Sequence, residues 1–458
     1  MRSRGVGVSQ PRSALFMPVA LALLIHASSS RATEPGYQVS VGVIETDNVQ
    51  RVPSGGSSDT ILEQEADFTW HEQRPVLNAD IEADLSHLTY VPRAFSDEVI
   101  GNFIGSARVA MVPQYLFWNI ADNFGQGVTD PAQAVTPQNR ENINIFSTGP
   151  QALLPLSSVD ILDLNGTYGR ASYQDSPLNS QRFGGGAGFI HLLSAAAEIS
   201  VNVHQERIDY SNNTLNPDYN LQEAFGHFDI KGQRSTLGID AGYDRVTGLS
   251  GLSSGGLLGH IQLSRKVSAS STVSFSVGRQ YSDSVGAFQM SQVLGGANLN
   301  TQQTEQVGGP FNMTFVTGGW NFSRNRTQFG LDIAHFRDTY LENAISNDNR
   351  TEVTLHISRL LRPNLRLAIS EFLDRQVFES EPGTATNSTT DTRLTWQMSR
   401  RISMTFAYDY ARRTSDVASS AFTQNTVWIS IGYGRAAQVP VGPAAPPLPL
   451  PMAVSQTR

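Results

Sequence analysis

Residues 77–86 read LNADIEADLS, and three carboxylates, Asp80, Glu82 and Asp84, stand at alternate positions within them. Carboxylates so close in sequence suggest general acid–base chemistry, a cation site or a negatively charged surface. The residues between them, Leu77, Ala79, Ile81, Ala83 and Leu85, are apolar. That period of two belongs to a strand, whose successive side chains point to opposite faces. Same-face neighbours on a strand lie about 6.6–6.8 Å apart, too far for such neighbours alone to chelate one cation. No partner for acid–base work stands beside them, so the default reading is a solvated acidic stripe that Asn78 and Ser86 extend.

A second set of the opposite sign occurs late in the chain. Arg366 stands between Leu365 and Leu367, and Arg393 alternates with Leu394 and Trp396. Elsewhere reactive constellations are missing. The nine histidines show no HExxH spacing, no GxSxG elbow occurs, and GGGAG at 184–188 lacks the Lys-Ser/Thr of a phosphate loop. The chain has no cysteine, which excludes disulfides and thiolate chemistry. The expectation is a protein without catalytic residues, metal or cofactor.

What positions the two stripes is a unit that recurs from residue 37 to residue 433, about ten residues of alternating polarity followed by turn residues. Clear instances are ISVNV (199–203), LGIDAGY (237–243), VSFSV (273–277), VTLHI (353–357) and VWISIGY (427–433). Connections alternate between short turns, as at 73–74, 268–270 and 400–401, and longer polar stretches, as at 46–58, 123–141 and 283–308. Ten-residue alternating segments with unequal connections are the signature of an outer-membrane barrel. A sandwich needs only about seven to nine strands per domain, and a propeller needs an internal repeat of about 40 residues, which this sequence lacks. The reading is therefore all-β: a transmembrane antiparallel up-and-down β-barrel of about 18–20 strands over residues 33–434. One short helix is expected within 287–294.

In such a wall the apolar member of each alternation faces lipid and the polar member faces the interior. Asn78, Asp80, Glu82, Asp84, Arg366 and Arg393 are then candidates to line the lumen, an acidic stripe opposing a basic one. Aromatics near strand ends, Trp70, Trp118, Tyr408, Tyr410, Trp428 and Tyr433, are candidates for the girdles at the membrane–water interfaces. Outer-membrane lipid is the expected surrounding.

The two ends differ in composition. Arg2, Arg4 and Arg12 precede an apolar run at 14–25 and a small-residue stretch at 27–32, so residues 1–32 read as a signal peptide. Residues 435–458 carry six prolines between Pro440 and Pro451 and read as a disordered periplasmic tail. Residues 33–230 hold 25 acids and 8 bases, whereas residues 231–458 hold 16 acids and 21 bases. That acidic balance argues against nucleic acid as a partner.

Two stretches carry a family resemblance. VGVIETDNVQ (41–50) resembles the first strand and "TDN" loop of outer-membrane β-barrel proteins associated with PEP-CTERM/exosortase systems. PQNRENINIFSTGPQALL (137–154) resembles that family's second recognisable block. The resemblance implies a porin-like channel associated with exopolysaccharide export and with other envelope export components. The Pro-rich tail after Tyr433 departs from the family pattern. Two other readings stay open, a general diffusion porin and a non-conducting structural or anchoring protein. The long connection at 283–308 bears on the choice, because folded inward it would narrow the pore.

Overall fold

The computed structural model describes residues 35–92, 94–248, 251, 253–295, 309–341, 347–379 and 383–435. The proposed signal peptide, the tail beyond residue 435 and residues 296–308 of the long connection lie outside them.

The alternation seen in the sequence becomes twenty strands. The first ten are β1 (Gly36–Thr46), β2 (Asp59–Gln73), β3 (Leu77–Tyr90), β4 (Glu98–Val112), β5 (Leu116–Val128), β6 (Arg140–Pro155), β7 (Asp160–Tyr173), β8 (Ser180–Ser194), β9 (Ala197–Tyr210) and β10 (Tyr219–Lys231). The second ten are β11 (Ser235–Gly248), β12 (Ser253–Ser268), β13 (Ser271–Ser282), β14 (Phe311–Arg324), β15 (Thr327–Tyr340), β16 (Asp348–Arg362), β17 (Leu365–Phe378), β18 (Thr384–Gln397), β19 (Ile402–Ser415) and β20 (Phe422–Arg435). Among the described residues one α-helix, α1 (Ser284–Gly295), follows β13 and contains the expected 287–294 segment. Each strand pairs antiparallel with its chain neighbours. The pairing of β1 with β20, from Tyr37↔Arg435 to Thr46↔Thr426, closes the ring. Closure matters because a strand edge left open in hydrocarbon would hold unsatisfied N–H and C=O groups.

Register assigns the faces. Val39, Val41 and Val43 of β1 stand opposite Ile429, Ile431 and Tyr433 of β20, and all six are exposed although apolar; Val41 is 63% exposed. Leu257 of β12 is 74% exposed and Val201 of β9 is 65% exposed. Aliphatic side chains at such exposure, repeated around a closed ring, form the lipid-facing belt. Opposite parity places Ser40, Gly42, Ser430 and Gly432 inside. This wall, apolar outside and polar inside, with short turns at one end and long connections at the other, is that of a bacterial outer-membrane barrel. The twenty strands put the 74–76, 269–270 and 398–401 turns at the periplasmic end and the long connections at the extracellular end.

The outer face carries Trp70, Trp118, Tyr408, Tyr410 and Tyr433. Trp118 and Tyr433, both close to the periplasmic ends of their strands, are 40% and 48% exposed. Trp320 joins them near the periplasmic end of β14, its Nε1 donating to Ser271 Oγ at 2.8 Å. Trp428 is a correction to the girdle. It pairs with Ala407 and Ile44 on the inner face, and the Arg393 guanidinium lies 5.2 Å from its ring centroid. Its strand neighbours of the same parity, Thr426 and Ser430, are polar, so its position follows the alternation of the strand rather than the aromatic preference for the interface.

Candidate functional site: the lumen

Inward parity on β3 gives Asn78, Asp80, Glu82 and Asp84, and their partners on β2 face the same way. Asp84 stands opposite Asp67, Glu82 opposite Thr69, and Asp80 opposite His71. Glu63 and Glu65 continue the β2 column toward the extracellular side. The acidic stripe is thus two strands wide. Ser40 Oγ donates to Glu65 Oε2 at 2.6 Å and Ser86 Oγ to Glu63 Oε1 at 3.0 Å. His71 Nδ1 lies 2.8 Å from Asp80 Oδ1, and this lower pair is half to two-thirds exposed, so water reaches the column from the periplasmic end.

Carboxylate oxygens of Glu65, Asp67 and Asp84 all lie within 4.8 Å of one another. The trio concentrates negative charge at one place on the inner face of β2 and β3. Sequence spacing along β3 alone missed this cluster, since it forms across two strands. Its signal was present in the alternate acids of β2, Glu63, Glu65 and Asp67.

The basic candidates correct the expectation of opposed stripes: β18 is separated from β2 only by β19, β20 and β1, so they lie on the inner face of the same arc of the wall and flank the acidic column instead of facing it. Arg366 pairs with Thr395, and Arg393 with Ala368 and Ala407. Arg366 acts electrostatically on His356. Arg393 forms a 2.9 Å ion pair with Asp391, and its charge acts on Glu63, Glu65 and Asp84. Acidic column and Arg393 thus share one electrostatic compartment, bounded by β17–β20 and β1–β3. Phe117 also faces inward, with Arg108 stacked 3.8 Å from its ring centroid.

A second polar row crosses β10–β13. His227 Nδ1 lies 2.7 Å from Asp240 Oδ1, His260 Nδ1 lies 3.5 Å from Asp240 Oδ2, and His260 Nε2 lies 2.8 Å from Ser276 Oγ. The order Ser–His–Asp is that of an acyl-transfer triad, but Ser276 sits in a strand paired on both sides, with Gln262 and Thr317. The row orients side chains across the sheet.

Two inserts pack against the inner face of the extracellular half of the wall. Helix α1 turns inward from the end of β13 and is capped by Asp283, whose Oδ1 accepts from the N–H groups of Val285 and Gly286, both at 3.1 Å. The same carboxylate accepts from Arg182 of β8 and, at 2.6 Å, from the Tyr219 hydroxyl of β10. Burial alone would raise the Asp283 carboxyl, but the Arg182 guanidinium, the Tyr219 hydroxyl and the helix N–H groups together hold it below the ordinary carboxylate range. Val285 and Phe288 pack with inward residues of β6, β7, β9, β10 and β11, among them Ile143, Tyr173, Ile208 and Val246. Met290 and Ala287 pack on Phe311, Phe315 and Phe336 of β14 and β15. The helix thus bridges two walls, and apolar packing occupies that side of the lumen.

Residues 129–139 pack on another part of the wall. They follow β5 but reach β19 and β20, where Ala134 packs with Ala411 and Phe422. Arg413 Nη2 donates to Pro131 O at 2.8 Å and Arg51 Nη1 to Val135 O at 2.6 Å. Arg51, in the β1–β2 connection, also donates to Gln424 Oε1 at 2.9 Å; burial, with help from the Arg140 charge, lowers its pKa to about 10.

No family model and no curated protein matches the chain. Solved structures similar to it include the siderophore receptor PirA from Acinetobacter baumannii, at 8% identity and TM-score 0.46, covering 89% of this chain and 81% of that one. PirA from Pseudomonas aeruginosa matches at 11% identity and TM-score 0.40, over 89% and 81% of the two chains. OccK2 from Pseudomonas aeruginosa, solved with glucuronate, matches at 8% identity and TM-score 0.38, over 89% and 100%.

Proposed function

We propose that the protein is an outer-membrane channel that favours cations and passes small, positively charged or zwitterionic solutes. The observation that carries this reading is the two-strand acidic column on the inner face, reached by water at its periplasmic end and flanked by Arg393 on the adjoining arc of the wall. Fixed carboxylates in a low-dielectric enclosure raise the local concentration of counter-ions and bias permeation toward them. The resemblance at residues 41–50 and 137–154 supports a role beside exopolysaccharide export. For a polymer to pass, α1 and the 129–139 segment would both have to leave the lumen.

The packing of α1 and of residues 129–139 on the inner face favours a second reading, a non-conducting structural barrel that anchors surface material. Reversal potentials of the refolded full-length protein in planar bilayers under a KCl gradient separate the two. The channel reading expects cation preference that declines toward neutrality in Asp80→Asn/Glu82→Gln/Asp84→Asn. Unchanged selectivity in that variant would take the column out of the conducting path, and silence of every variant would favour the anchor.

A further inference from the structure

The wall has a seam. The β4–β5 ladder runs from Val112↔Leu116 to Phe103↔Phe124 and stops there. On either side the sheet continues: β4 pairs with β3 as far as Glu98↔Leu88, and β5 with β6 as far as Val128↔Arg140. Residues 98–102 and 125–128 therefore face each other across a gap in which side chains replace backbone pairing. Gln126 Oε1 accepts from the Gly101 N–H at 3.0 Å while its Nε2 donates to Asn142 at 2.8 Å. Arg140 bonds Glu98 across the same gap. Gly101 has φ 138°, and a Cβ there would fall 2.0 Å from the Asp84 carbonyl oxygen, so the bend in β4 requires glycine.

Beyond the gap the tip of the β5–β6 hairpin leaves the wall and leans into the lumen, where Gln126 and Val128 are buried. It carries residues 129–139 as one rigid piece. Asn139 alone accepts from Thr129 Oγ1 and the Asp130 N–H and donates to the carbonyls of Asp130 and Ala134. The seat is equally ordered. Asn48 donates to Val52 O and Thr423 O, and Asp47 binds the Asn425 backbone and side chain, which fixes the β1–β2 connection and its Arg51 against β20.

We infer that residues 129–139 are a releasable strap, hinged at the β4–β5 seam and latched by Arg51 and Arg413, that closes the lumen between β19 and β5. Continuing the existing register would pair Asn102↔Gly125 through Val99↔Val128, so the hairpin tip has a second home, in the wall. Release exchanges the latch for those pairs, giving the bistable element that a gate needs. The inference rests on the channel reading and names its regulation.

The chain has no cysteine, so an engineered pair reports without background. Ala134→Cys/Ala411→Cys joins two buried residues of one cluster, and Arg51→Ala/Arg413→Ala removes the latch. Each barrel is verified by its heat-modifiable gel mobility and then recorded in planar bilayers. The latch variant is expected to raise open probability at least tenfold. The oxidised cysteine pair is expected to lower it at least tenfold, with full recovery in reductant. Should the latch variant not fold, the cysteine pair alone decides, since it removes no polar contact. Wild-type conductance that neither variant alters overturns the strap and leaves the channel reading standing. If wild type, latch variant and a strap-deleted barrel are all silent, the channel reading falls.

Discussion

Replacing Asp283 by Asn tests how α1 is held. The substitution keeps the size of the side chain and its ability to cap the helix, since Asn is as good an N-cap as Asp. What it removes is the negative charge facing Arg182, whose side chain is only 12% exposed. Breaking a buried ion pair by neutralising one partner costs about 3–5 kcal/mol, because the other charge is left uncompensated. Arg182 keeps Glu206 at 3.1 Å, so the lower end applies, about 3 kcal/mol, or roughly 150-fold in the docking equilibrium of the helix. Hydrogen exchange of a peptide covering residues 285–290 reads this directly. Exchange should accelerate by about two orders of magnitude in Asp283→Asn while the β-strand amides hold their protection. The pH dependence follows from the lowered carboxyl. Stability from a depressed acid is present above its ordinary value of 3.8 and is lost as pH falls through the folded pKa, which lies below that value. Protection of α1 in the wild type should therefore stay level from pH 8 to pH 5. Exchange within threefold of wild type in the variant, or a loss of protection already at pH 6, would refute the ion pair as the anchor.

The inward assignment of Trp428 predicts that its fluorescence, isolated by Trp→Phe changes at the other four tryptophans, responds to iodide from the aqueous side and ignores nitroxide-labelled lipid. Trp118 should do the opposite. Val41, halfway along β1 on the lipid face, should not tolerate Arg; a cost of about 2–4 kcal/mol is expected near the bilayer midplane, visible as a lower urea midpoint in vesicles. Gly101→Ala should cost about 1–3 kcal/mol from backbone strain, with added crowding against the Asp84 carbonyl, and a wild-type midpoint would show that the seam does not need its bend.

The wall was legible because period-two alternation and unequal connections are local properties. VWISIGY and LNADIEADLS each declare their two faces without help from the rest of the chain. A short helix within 287–294 was expected, and α1 extends it to Ser284–Gly295. The error at Trp428 came from letting an aromatic preference outrank the alternation, for Thr426, Ser430 and Gly432 share its parity and are small or polar. What occupies the lumen was not legible. Pro131 meets Arg413 and Val135 meets Arg51 only after the barrel has closed, and no spacing records contacts between residues so far apart in the chain. At the β5–β6 tip the glycines at 125 and 127 mark a weak strand end, and residues 123–141 read as a connection in the sequence, whereas the strands continue to Val128 and resume at Arg140.

If the protein conducts, its acidic column lies in the path of the ions. Reversal potential across a tenfold KCl gradient, recorded on the refolded full chain and on Glu65→Gln/Asp67→Asn/Asp84→Asn, tests it most directly. The wild type should give a potential of the sign that marks cation preference, moving toward zero in the variant. A variant that keeps the wild-type potential, or a wild type that prefers anions, would contradict it.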